Sequence, residues 1–589
     1  MNLTKTHYIL AFALHEKACF DIKSASLDHL KKLADKYNLS YREADFGDFC
    51  IGFVLRGEVR QEPITQLDNF VVCSHSQVSM TEDRYLLIQI ENGQLKFSTD
   101  YAGSIPTFYS FRNGFSASNV EKCVLQSSKF DNDDIDFESV YGLMRFGHFI
   151  WDETAWKHMK QLLPNRDSIV DLRNSIIRAK RNEKTFVGEE RHHSSLKANA
   201  NELFELNKGL VKNSLKNCES VILPLSSGYD SRMIFSALAD DNDLKSKLTC
   251  FTYGNKGSLE VAAAKELCKT AEVEWSHLEL PAKFLGKRYL SDTADIFGSS
   301  MHMHAMYQIE MVENLRSNNL IFRNSTFTSG FMTGVPAGQH NRLLGIEGVN
   351  PRLSRAMDNF SQSKVWSKNA LEEISVFRGR GFEEACETKF RKAYNDFDGE
   401  DYQKSILFDI WSRQRNFISY HPRVLEWFYP VASPHMNPQY INFFLSINPD
   451  QLIDRRAVQA MFKFKYSQYS KIPSDSNLLR GVGPKLKTLL YLMPQILTKM
   501  GIEKDSFLGY ESGNSKFDLR AIDDAKKESF FPLLEETRKN NVAEFIDVFG
   551  GNDFFQNTYL EAKNGNLNSY LKIVGLQSIA LALYDRPEI

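Results

Sequence analysis

A group of small polar residues follows a short apolar run near the middle of the chain. Residues 221–232 read VILPLSSGYDSR. A turn between a parallel strand and a helix presents backbone N–H groups at the helix N-terminus, where the helix dipole favours an anion. Ser226, Ser227 and Ser231 add hydroxyl donors to such a turn. Gly228 can take a positive φ angle, which lets a phosphate approach the backbone closely.

Asp230 lies in the same turn and gives it a second capability. Mg²⁺ takes carboxylate and phosphate oxygens as ligands, so Asp230 can hold that ion between phosphates. Neither the GxxxxGK[ST] pattern nor the GxGxxG pattern occurs here. A plain strand-to-helix turn, with Ser or Asp as the helix N-cap, explains the hexapeptide equally well. The surrounding chain has to decide between the two interpretations.

Bulk composition restricts the function classes. The chain has 589 residues, more than one core usually supports, so two to four domains are expected. Its 72 basic and 74 acidic residues give a net charge of −2, which does not favour nucleic-acid binding. The eight cysteines are thinly spread and none forms a CxxC pair. This spacing favours a reducing compartment over a zinc site or a disulfide framework.

Two apolar runs are candidates for targeting or membrane segments, and neither fits. The run near the N-terminus, YILAFAL, is short and is followed closely by polar residues, unlike the apolar region of a signal peptide. The later run LKTLLYLMPQILTKM is interrupted by Pro494 and falls short of a membrane span. We therefore expect a cytoplasmic protein without membrane contact.

The pattern of elements changes part-way along the chain. Residues 1–185 read mostly as strands, with hairpin signals at Asn92-Gly93 and Asn113-Gly114. The charged segment KRNEKTFVGEERHHSSLKAN follows and is the predicted domain boundary. After it, the strand-like runs VILPLSS, KLTCFTYG and EWSHLEL alternate with helical segments, which predicts a parallel sheet covered by helices. The last part of the chain reads mainly helical.

These segments resemble the asparagine synthetase family in their order and spacing. SSGYDS is similar to the SGGxDS signature of ATP-pyrophosphatases, and FTYGNKGSLEVAAAKELCKTAEVEWSHLEL resembles the segment that holds adenosine. Upstream, DYAGSIPTFYSFRNGFSASNVEKCVL resembles the glutaminase half of these enzymes, and VYGLMRFGHFIWDETAWKHMKQLLPN resembles the element that closes it. Late in the chain, VASPHMNPQYINFFLSINPDQL resembles the segment that carries a Pro-Phe-Leu-Asp motif.

The resemblance implies two domains that combine α/β and α+β architecture. Residues 1–185 would form an Ntn-hydrolase-like antiparallel sandwich, a degenerate class-II glutaminase-like domain. Residues 195–589 would form an ATP-pyrophosphatase domain of the PP-loop type, a parallel sheet with helical elaboration. The implied cofactors are ATP and Mg²⁺, with Asp230 as the metal ligand. The implied catalytic residues are Asp230, Ser231 and Glu426. The implied nucleotide-binding residues are Leu225, Ser226, Ser227, Gly228, Tyr229, Ser231, Thr252, Gly254, Ser329 and Gly330.

The first departure from the family pattern concerns the glutaminase half. Asparagine synthetases that use glutamine begin with a catalytic cysteine once Met1 is removed, whereas this chain has Asn2. Asparagine has no nucleophilic side chain to replace the thiolate, and Cys19 lies too far inside the chain. We expect no glutaminase activity. Family members that form β-lactams or close lasso peptides share this loss and use a substrate amine.

Further departures affect the synthetase half. The family's second phosphate motif aligns with NSTFTSGFMTGVPAGQHNRL, which puts Gly334 where a second metal-ligating aspartate is expected. Glu347 and Asp409 are candidate substitutes for that ligand. The acid that precedes the Pro-Phe motif aligns with Pro430, and Glu426 is either its displaced substitute or an ordinary surface acid.

The family's late lysine, which steadies developing charge, has no clear counterpart. Lys471 and Lys485 are candidates, and a solvated surface charge is the alternative for each.

Three functions remain open at this stage. The leading hypothesis is an ATP-dependent amide-forming ligase that activates a small-molecule or peptide carboxylate as an acyl-adenylate, for attack by an amine or ammonia. The second is a catalytically degenerate homologue that binds nucleotide or serves as a scaffold. The third is another pyrophosphatase-type ATP enzyme, such as a tRNA-modifying ligase, which the near-neutral charge and the glutaminase-like first domain disfavour. No nucleic-acid or membrane partner is expected, and the resemblance is compatible with a homodimer.

Overall fold

The structure is a computed structural model. It describes residues 8–16, 23–46, 48–56, 69–72, 84–91, 93–130, 132–182, 194–253, 258–278, 287–300, 303–321, 324–340 and 368–474, and the single residues 557, 560 and 561.

The N-terminal region is built on a sheet of 11 strands. Its strands are β1 (Tyr8–Glu16), β2 (Ser40–Phe46), β3 (Phe49–Leu55), β4 (Asn69–Val72), β5 (Leu86–Glu91), β6 (Gln94–Thr99), β7 (Phe108–Ser110), β8 (Ser116–Ser118), β9 (Met159–Gln161), β10 (Arg166–Asp171) and β11 (Ile176–Arg181). They run in the order β11-β10-β6-β5-β4-β1-β8-β7-β9, with β3 on β1 and β2 on β3. The described pairs are antiparallel, apart from β1 with β4. The predicted antiparallel sheet is thus present.

Both predicted hairpins are confirmed. Glu91 pairs with Gln94 across the first turn, where Gly93 has a φ of +75°. In the connection between β7 and β8, Asn113 and Gly114 have φ angles of +56° and +91°. Asn and Gly tolerate this left-handed backbone better than other residues, so the dipeptide signals chain reversal.

Side chains on the two faces of β1 belong to two different apolar cores. Phe12 and Leu14 face a core formed within the sheet region. Ala11 and Ala13 face a second core that continues into the rest of the molecule. Successive side chains of a strand point to opposite faces, so one strand contributes to both cores.

The second region is built on a fully parallel sheet of 5 strands. Its strands are β12 (Ser220–Pro224), β13 (Leu248–Tyr253), β14 (Glu274–Leu278), β15 (Ser325–Thr328) and β16 (Val431–Ala432). They run in the order β14-β13-β12-β15-β16, and each neighbouring pair is parallel. From β12, the chain adds β13 and β14 on one side of the sheet and then β15 and β16 on the other. In such sheets, ligands bind at the carboxyl ends of the strands where the order reverses, here between β12 and β15.

Helices surround both sheets. They are α1 (Lys23–Lys36), α2 (Glu121–Ser128), α3 (Phe137–Phe146), α4 (Leu196–Leu215), α5 (Tyr229–Ala239), α6 (Asn242–Ser246), α7 (Leu259–Ala271), α8 (Lys287–Phe297), α9 (Met303–Ser317), α10 (Lys368–Glu372), α11 (Phe382–Asn395), α12 (Asp401–Asp409), α13 (Tyr420–Glu426), α14 (Pro438–Ser446), α15 (Arg456–Lys465) and α16 (Ser467–Ser470). A π-helix, Ile410–Ile418, continues α12. None of the helices in the described part of the chain has the length and apolar character needed to cross a bilayer.

The two regions pack against each other through one continuous apolar core. This core includes Ala13 and Cys123 from the first region and Leu223 and Met233 from the second. A buried ion pair between Arg84 and Glu426 also joins them. The predicted boundary falls between β11 and α4, and its residues 183–193 lie outside the described part of the chain.

Candidate functional site

The turn between β12 and α5 is organised by two of its serines. The amide of Ser226 donates to Ser231 Oγ at 3.0 Å, and the two hydroxyl oxygens lie 2.9 Å apart. The amide of Gly228 donates to Ser226 Oγ at 3.2 Å. Ser227 is buried, whereas Ser226 and Gly228 are half-buried. The loop is therefore folded back onto the first turn of α5.

The glycine of the turn does not use a left-handed backbone. Gly228 has φ −70° and ψ 160°, the extended conformation of a helix N-cap, so the prediction of a positive φ is wrong. The cap makes no side-chain hydrogen bond to the helix, so the alternative of a turn capped by Ser or Asp does not hold. The first N–H groups of α5 have no intrahelical partner, as at any helix N-terminus, and here no cap side chain takes them.

Asp230 is the charged group of the turn and faces a guanidinium. Nη1 of Arg455 donates to Asp230 Oδ1 at 3.0 Å. The Asp230 side chain keeps 33% of its surface exposed, and that of Arg455 keeps 12%. Burial raises the pKa of Asp230, and the neighbouring Arg455 and His340 oppose that shift. A carboxylate that stays accessible beside a helix N-terminus is suited to hold a cation together with phosphate oxygens.

Arg455 is held in an unusual backbone conformation. Arg455 and Asp454 have φ angles of +58° and +54°, so two consecutive non-glycine residues are left-handed. Such residues each cost about 1–3 kcal/mol and persist where the surrounding structure fixes them. Gln459 Nε2 donates to the Asp454 carbonyl at 2.6 Å, and the Arg455 guanidinium lies 5.1 Å from the centre of the Tyr229 ring. This strained link places the guanidinium beside Asp230 in the turn.

The loop after β15 lies directly against this turn. Ser329 and Gly330 begin it, and a Cβ on Gly330 would lie 3.2 Å from both the Asp230 carbonyl carbon and the Ser231 nitrogen. A Cβ on Gly334 would lie 2.7 and 2.9 Å from the two Asp230 carboxylate oxygens. The residue aligned with the missing second acid is thus beside the first acid. Both glycines allow the loop to approach Asp230 this closely.

A buried arginine ties the turn to a later segment of the chain. Nη2 of Arg232 donates to the Ser227 carbonyl at 2.7 Å, and Nη1 donates to the carbonyls of Tyr469 and Ile472 at 3.1 and 2.8 Å. Burial lowers the pKa of Arg232 to about 10. The planar guanidinium donates to several carbonyls at once. The ammonium group of a lysine lacks this fixed arrangement of donors. Arg232 therefore holds the turn against the segment that contains Tyr469 and Ile472. Lys471, a predicted candidate for the late lysine, lies in that segment and is exposed.

The other predicted nucleotide-binding residues flank the turn. Thr252 is the second-last residue of the neighbouring strand β13. Its hydroxyl donates to the Leu225 carbonyl at 2.8 Å and accepts from Trp275 Nε1 at 3.0 Å. Tyr229 is buried, and its ring centre lies 5.1 Å from the guanidinium of Arg455 and 5.6 Å from that of Arg232. Gly254, Glu347 and Lys485 lie outside the described residues.

The structure does not bring Glu426 to the turn. Glu426 ends the helix that leads into the amino end of β16, whereas the turn follows the carboxyl end of β12. Its carboxylate is buried in the ion pair with Arg84, and its carbonyl accepts from Arg56. A catalytic role for Glu426 finds no support in this position. Asp409 is fully buried, and both its oxygens are taken by His340 and Gln414, so it offers no oxygen to a metal ion.

The arrangement fits one shared cation better than a protein-built metal centre. Within the described residues, no group of three or more His, Cys, Asp and Glu side chains could hold a metal ion. Asp230 alone, together with phosphate oxygens, would provide the ligands that Mg²⁺ commonly uses. The sequence gives little sign that Arg455 belongs to the site, because the adjacent residues Arg455 and Arg456 look like ordinary surface charges.

Comparison with known proteins adds no relative to this picture. No protein-family model matches the chain, and no curated protein is significantly similar to it.

Proposed function

We propose that the chain is an ATP-dependent amide-forming ligase similar to asparagine synthetases. One observation carries the proposal: the SSGYDS turn after β12 and the SGFMTG loop after β15 meet at Asp230, where the order of a parallel sheet reverses. The turn supplies unshared N–H groups at a helix N-terminus, and Asp230 and Arg455 supply one negative and one positive charge beside them. This combination suits a polyphosphate with a divalent cation.

In the proposed reaction, a substrate carboxylate attacks the α-phosphate of ATP. The bond between the α-phosphorus and the bridging oxygen breaks, and pyrophosphate leaves. An amine or ammonia then displaces AMP from the acyl-adenylate. The N–H groups of the turn and the Arg455 guanidinium would hold the β- and γ-phosphates as the leaving group, and Asp230 would hold Mg²⁺ against them. The protein's contribution is positioning and charge stabilisation.

A second function has one specific observation in its favour. Gly334 supplies no second carboxylate, and Arg455 already occupies one oxygen of Asp230. A nucleotide-binding or scaffold protein that has lost catalysis would also have these features. The retained serines of the turn and the accessible Asp230 favour the ligase, because a scaffold has no need of a half-exposed carboxylate at a helix N-terminus.

The two functions give different products. The test incubates the protein with MgATP, labelled pyrophosphate and a panel of amino, hydroxy and dicarboxylic acids and short peptides. A ligase exchanges label into ATP when its acid is present, and forms AMP when an amine is added. Tight MgATP binding without exchange across the panel favours the scaffold. ADP as the product contradicts the proposed mechanism, since it requires transfer of the γ-phosphate.

A further inference from the structure

A histidine–aspartate pair lies beside the candidate site, and the proposed nucleotide contacts do not use it. His340 Nδ1 lies 2.5 Å from Asp409 Oδ2. The Asp409 side chain is fully buried, and the His340 side chain keeps 14% of its surface exposed. Among the described residues, Nε2 of His340 has no hydrogen-bond partner. The ring is therefore held at one nitrogen and available at the other.

Asp409 is fixed by its own environment. Its second oxygen accepts from Gln414 Nε2 at 3.0 Å. Although burial opposes ionisation, His340 lowers the pKa of Asp409. Gln414 belongs to the π-helix that begins directly after Asp409, and π-helical turns are rare and frequently mark functional sites. An ionised Asp409 accepts the Nδ1–H of His340, which leaves Nε2 as the basic nitrogen.

His340 lies in the same loop that contacts Asp230, whereas Asp409 is the last residue of α12. Gln339 precedes His340, and its amide donates to the Gly334 carbonyl at 3.0 Å. The Gln339 side-chain oxygen also occupies the space that a Cβ on Gly334 would need, next to the Asp230 carboxylate. Within the part of the chain that the structure describes, the charged groups around His340 are Asp409 at its Nδ1, Asp230 with its partner Arg455, and Arg413, which interacts with Asp409.

We propose that His340 is the general base of amide formation and that Asp409 is its positioning residue. This proposal rests on the proposed ligase function. The neutral amine attacks the acyl carbon of the adenylate and forms the C–N bond. The bond between that carbon and the adenylate oxygen breaks, and AMP leaves with the electron pair. The proton of the amine passes to Nε2 of His340, and Asp409 stabilises the imidazolium that forms.

The two half-reactions separate this role from a structural one. Adenylation releases no amine proton, so His340→Gln should retain acid-dependent exchange of labelled pyrophosphate into ATP within about twofold. Amide formation should fall by about 10²-fold or more, as expected for loss of a general base. Asp409→Asn should impair amide formation in the same way, because the amide no longer enforces the tautomer. Hydroxylamine is less basic than alkyl amines, so after its attack on the acyl carbon it loses a proton to water more readily, and it should restore product formation in His340→Gln.

The control and the contrary outcomes are defined by the same assays. His158→Gln changes a histidine whose side chain is 60% exposed in the other region, and should leave both half-reactions unchanged. If wild type shows no exchange with any acid of the panel, the ligase function fails and the base role with it. If wild type exchanges but His340→Gln loses exchange and amide formation equally, the base role alone is overturned. Equal activity of His340→Gln and wild type with ordinary amines also overturns it.

Discussion

Arg455 Nη1 lies 3.0 Å from Asp230 Oδ1 and so joins two residues that are 225 positions apart in the chain. Asp230 is the second residue of α5, and Arg455 is the residue before α15. Under the proposed function, a polyphosphate would displace the carboxylate from this guanidinium, whose planar fork is well suited to phosphate oxygens. Asp230 would then be available to a divalent cation.

Replacing Arg455 by glycine should weaken MgATP binding without lowering the stability of the fold. Glycine adopts a φ of +58° without strain and is accepted as an N-cap, so Arg455→Gly should be at least as stable as wild type in thermal unfolding. Loss of a charge-assisted hydrogen bond of about 2 kcal/mol should weaken MgATP binding roughly 30-fold in calorimetry. Arg455→Lys keeps the charge and should lose less affinity. Unchanged affinity in Arg455→Gly would show that the guanidinium does not contact the nucleotide.

Replacing Asp230 by asparagine should remove the dependence of ATP binding on Mg²⁺. Asparagine has nearly the same shape, so the fold and the melting temperature should change little. The amide is a poor Mg²⁺ ligand compared with a carboxylate. Calorimetric titrations with ATP should therefore give the same weak affinity with and without Mg²⁺. Asp240→Asn, at the other end of α5, is the matched control and should bind like wild type. A fully Mg²⁺-dependent Asp230→Asn variant would refute the metal assignment.

The elements that position the site could be predicted from local sequence. The Asn-Gly turns, the strand before the SSGYDS turn and the helix after it depend on neighbouring residues, and all are present. The position of Gly334 beside Asp230 also agrees with an alignment made from motif order alone. The turns, the strand and the helix follow from periodicity and turn chemistry, which act over a few residues, whereas the expected place of Gly334 comes from the family resemblance.

The partners of the site could not be predicted in this way. Arg455 and His340 lie far from the turn in the sequence, and nothing in their own neighbourhoods distinguishes them from surface charges. Asp409 is a candidate from the sequence only as a metal ligand, whereas the structure pairs it with His340. For Glu426, the position in the chain relative to Pro434 suggested a place in the site. In the fold, its carboxylate instead forms an ion pair with Arg84. The positive φ expected for Gly228 was wrong because an extended residue is what the start of α5 requires.

Placing an aspartate at Gly334 should create a cation-dependent pair of carboxylates. Its Cβ would lie within 3 Å of the Asp230 oxygens, so Asp230 and the flexible Gln339 side chain must turn aside. Without Mg²⁺, repulsion between the two carboxylates should lower the melting temperature. Added Mg²⁺ should raise it by several degrees more than in wild type, because binding to the native state stabilises it. Gly209→Asp, at an exposed helix position with no neighbouring atom within 4 Å, controls for the added charge. An equal Mg²⁺ effect in Gly334→Asp and Gly209→Asp would argue against a shared site.

His435 should make the protein less stable in mild acid. Its Nδ1 lies 2.5 Å from Thr333 Oγ1 and its Nε2 lies 2.8 Å from Asn207 Oδ1, so the ring joins the loop after β15 to α4. Burial lowers the pKa of His435 to about 3, below the ordinary value of 6.5. The unfolded chain therefore takes up a proton below pH 6.5 that the folded chain does not, and the free energy of unfolding falls as pH decreases from 6.5 toward 3.

The expected slope is measurable in a window where few carboxylates titrate. Each histidine whose pKa is lowered in this way changes the free energy of unfolding by up to about 1.4 kcal/mol per pH unit. Burial also lowers the pKa values of His29 and His148 to about 4, so all three contribute between pH 6.5 and 5. Urea unfolding of His435→Gln across this window should show a slope smaller by about one proton than that of wild type, and a lower free energy of unfolding at pH 7.5. His158→Gln, which removes an exposed histidine of the first region, is the control for the loss of a histidine elsewhere. A slope that His435→Gln leaves unchanged would mean that the ring is already protonated in the folded protein.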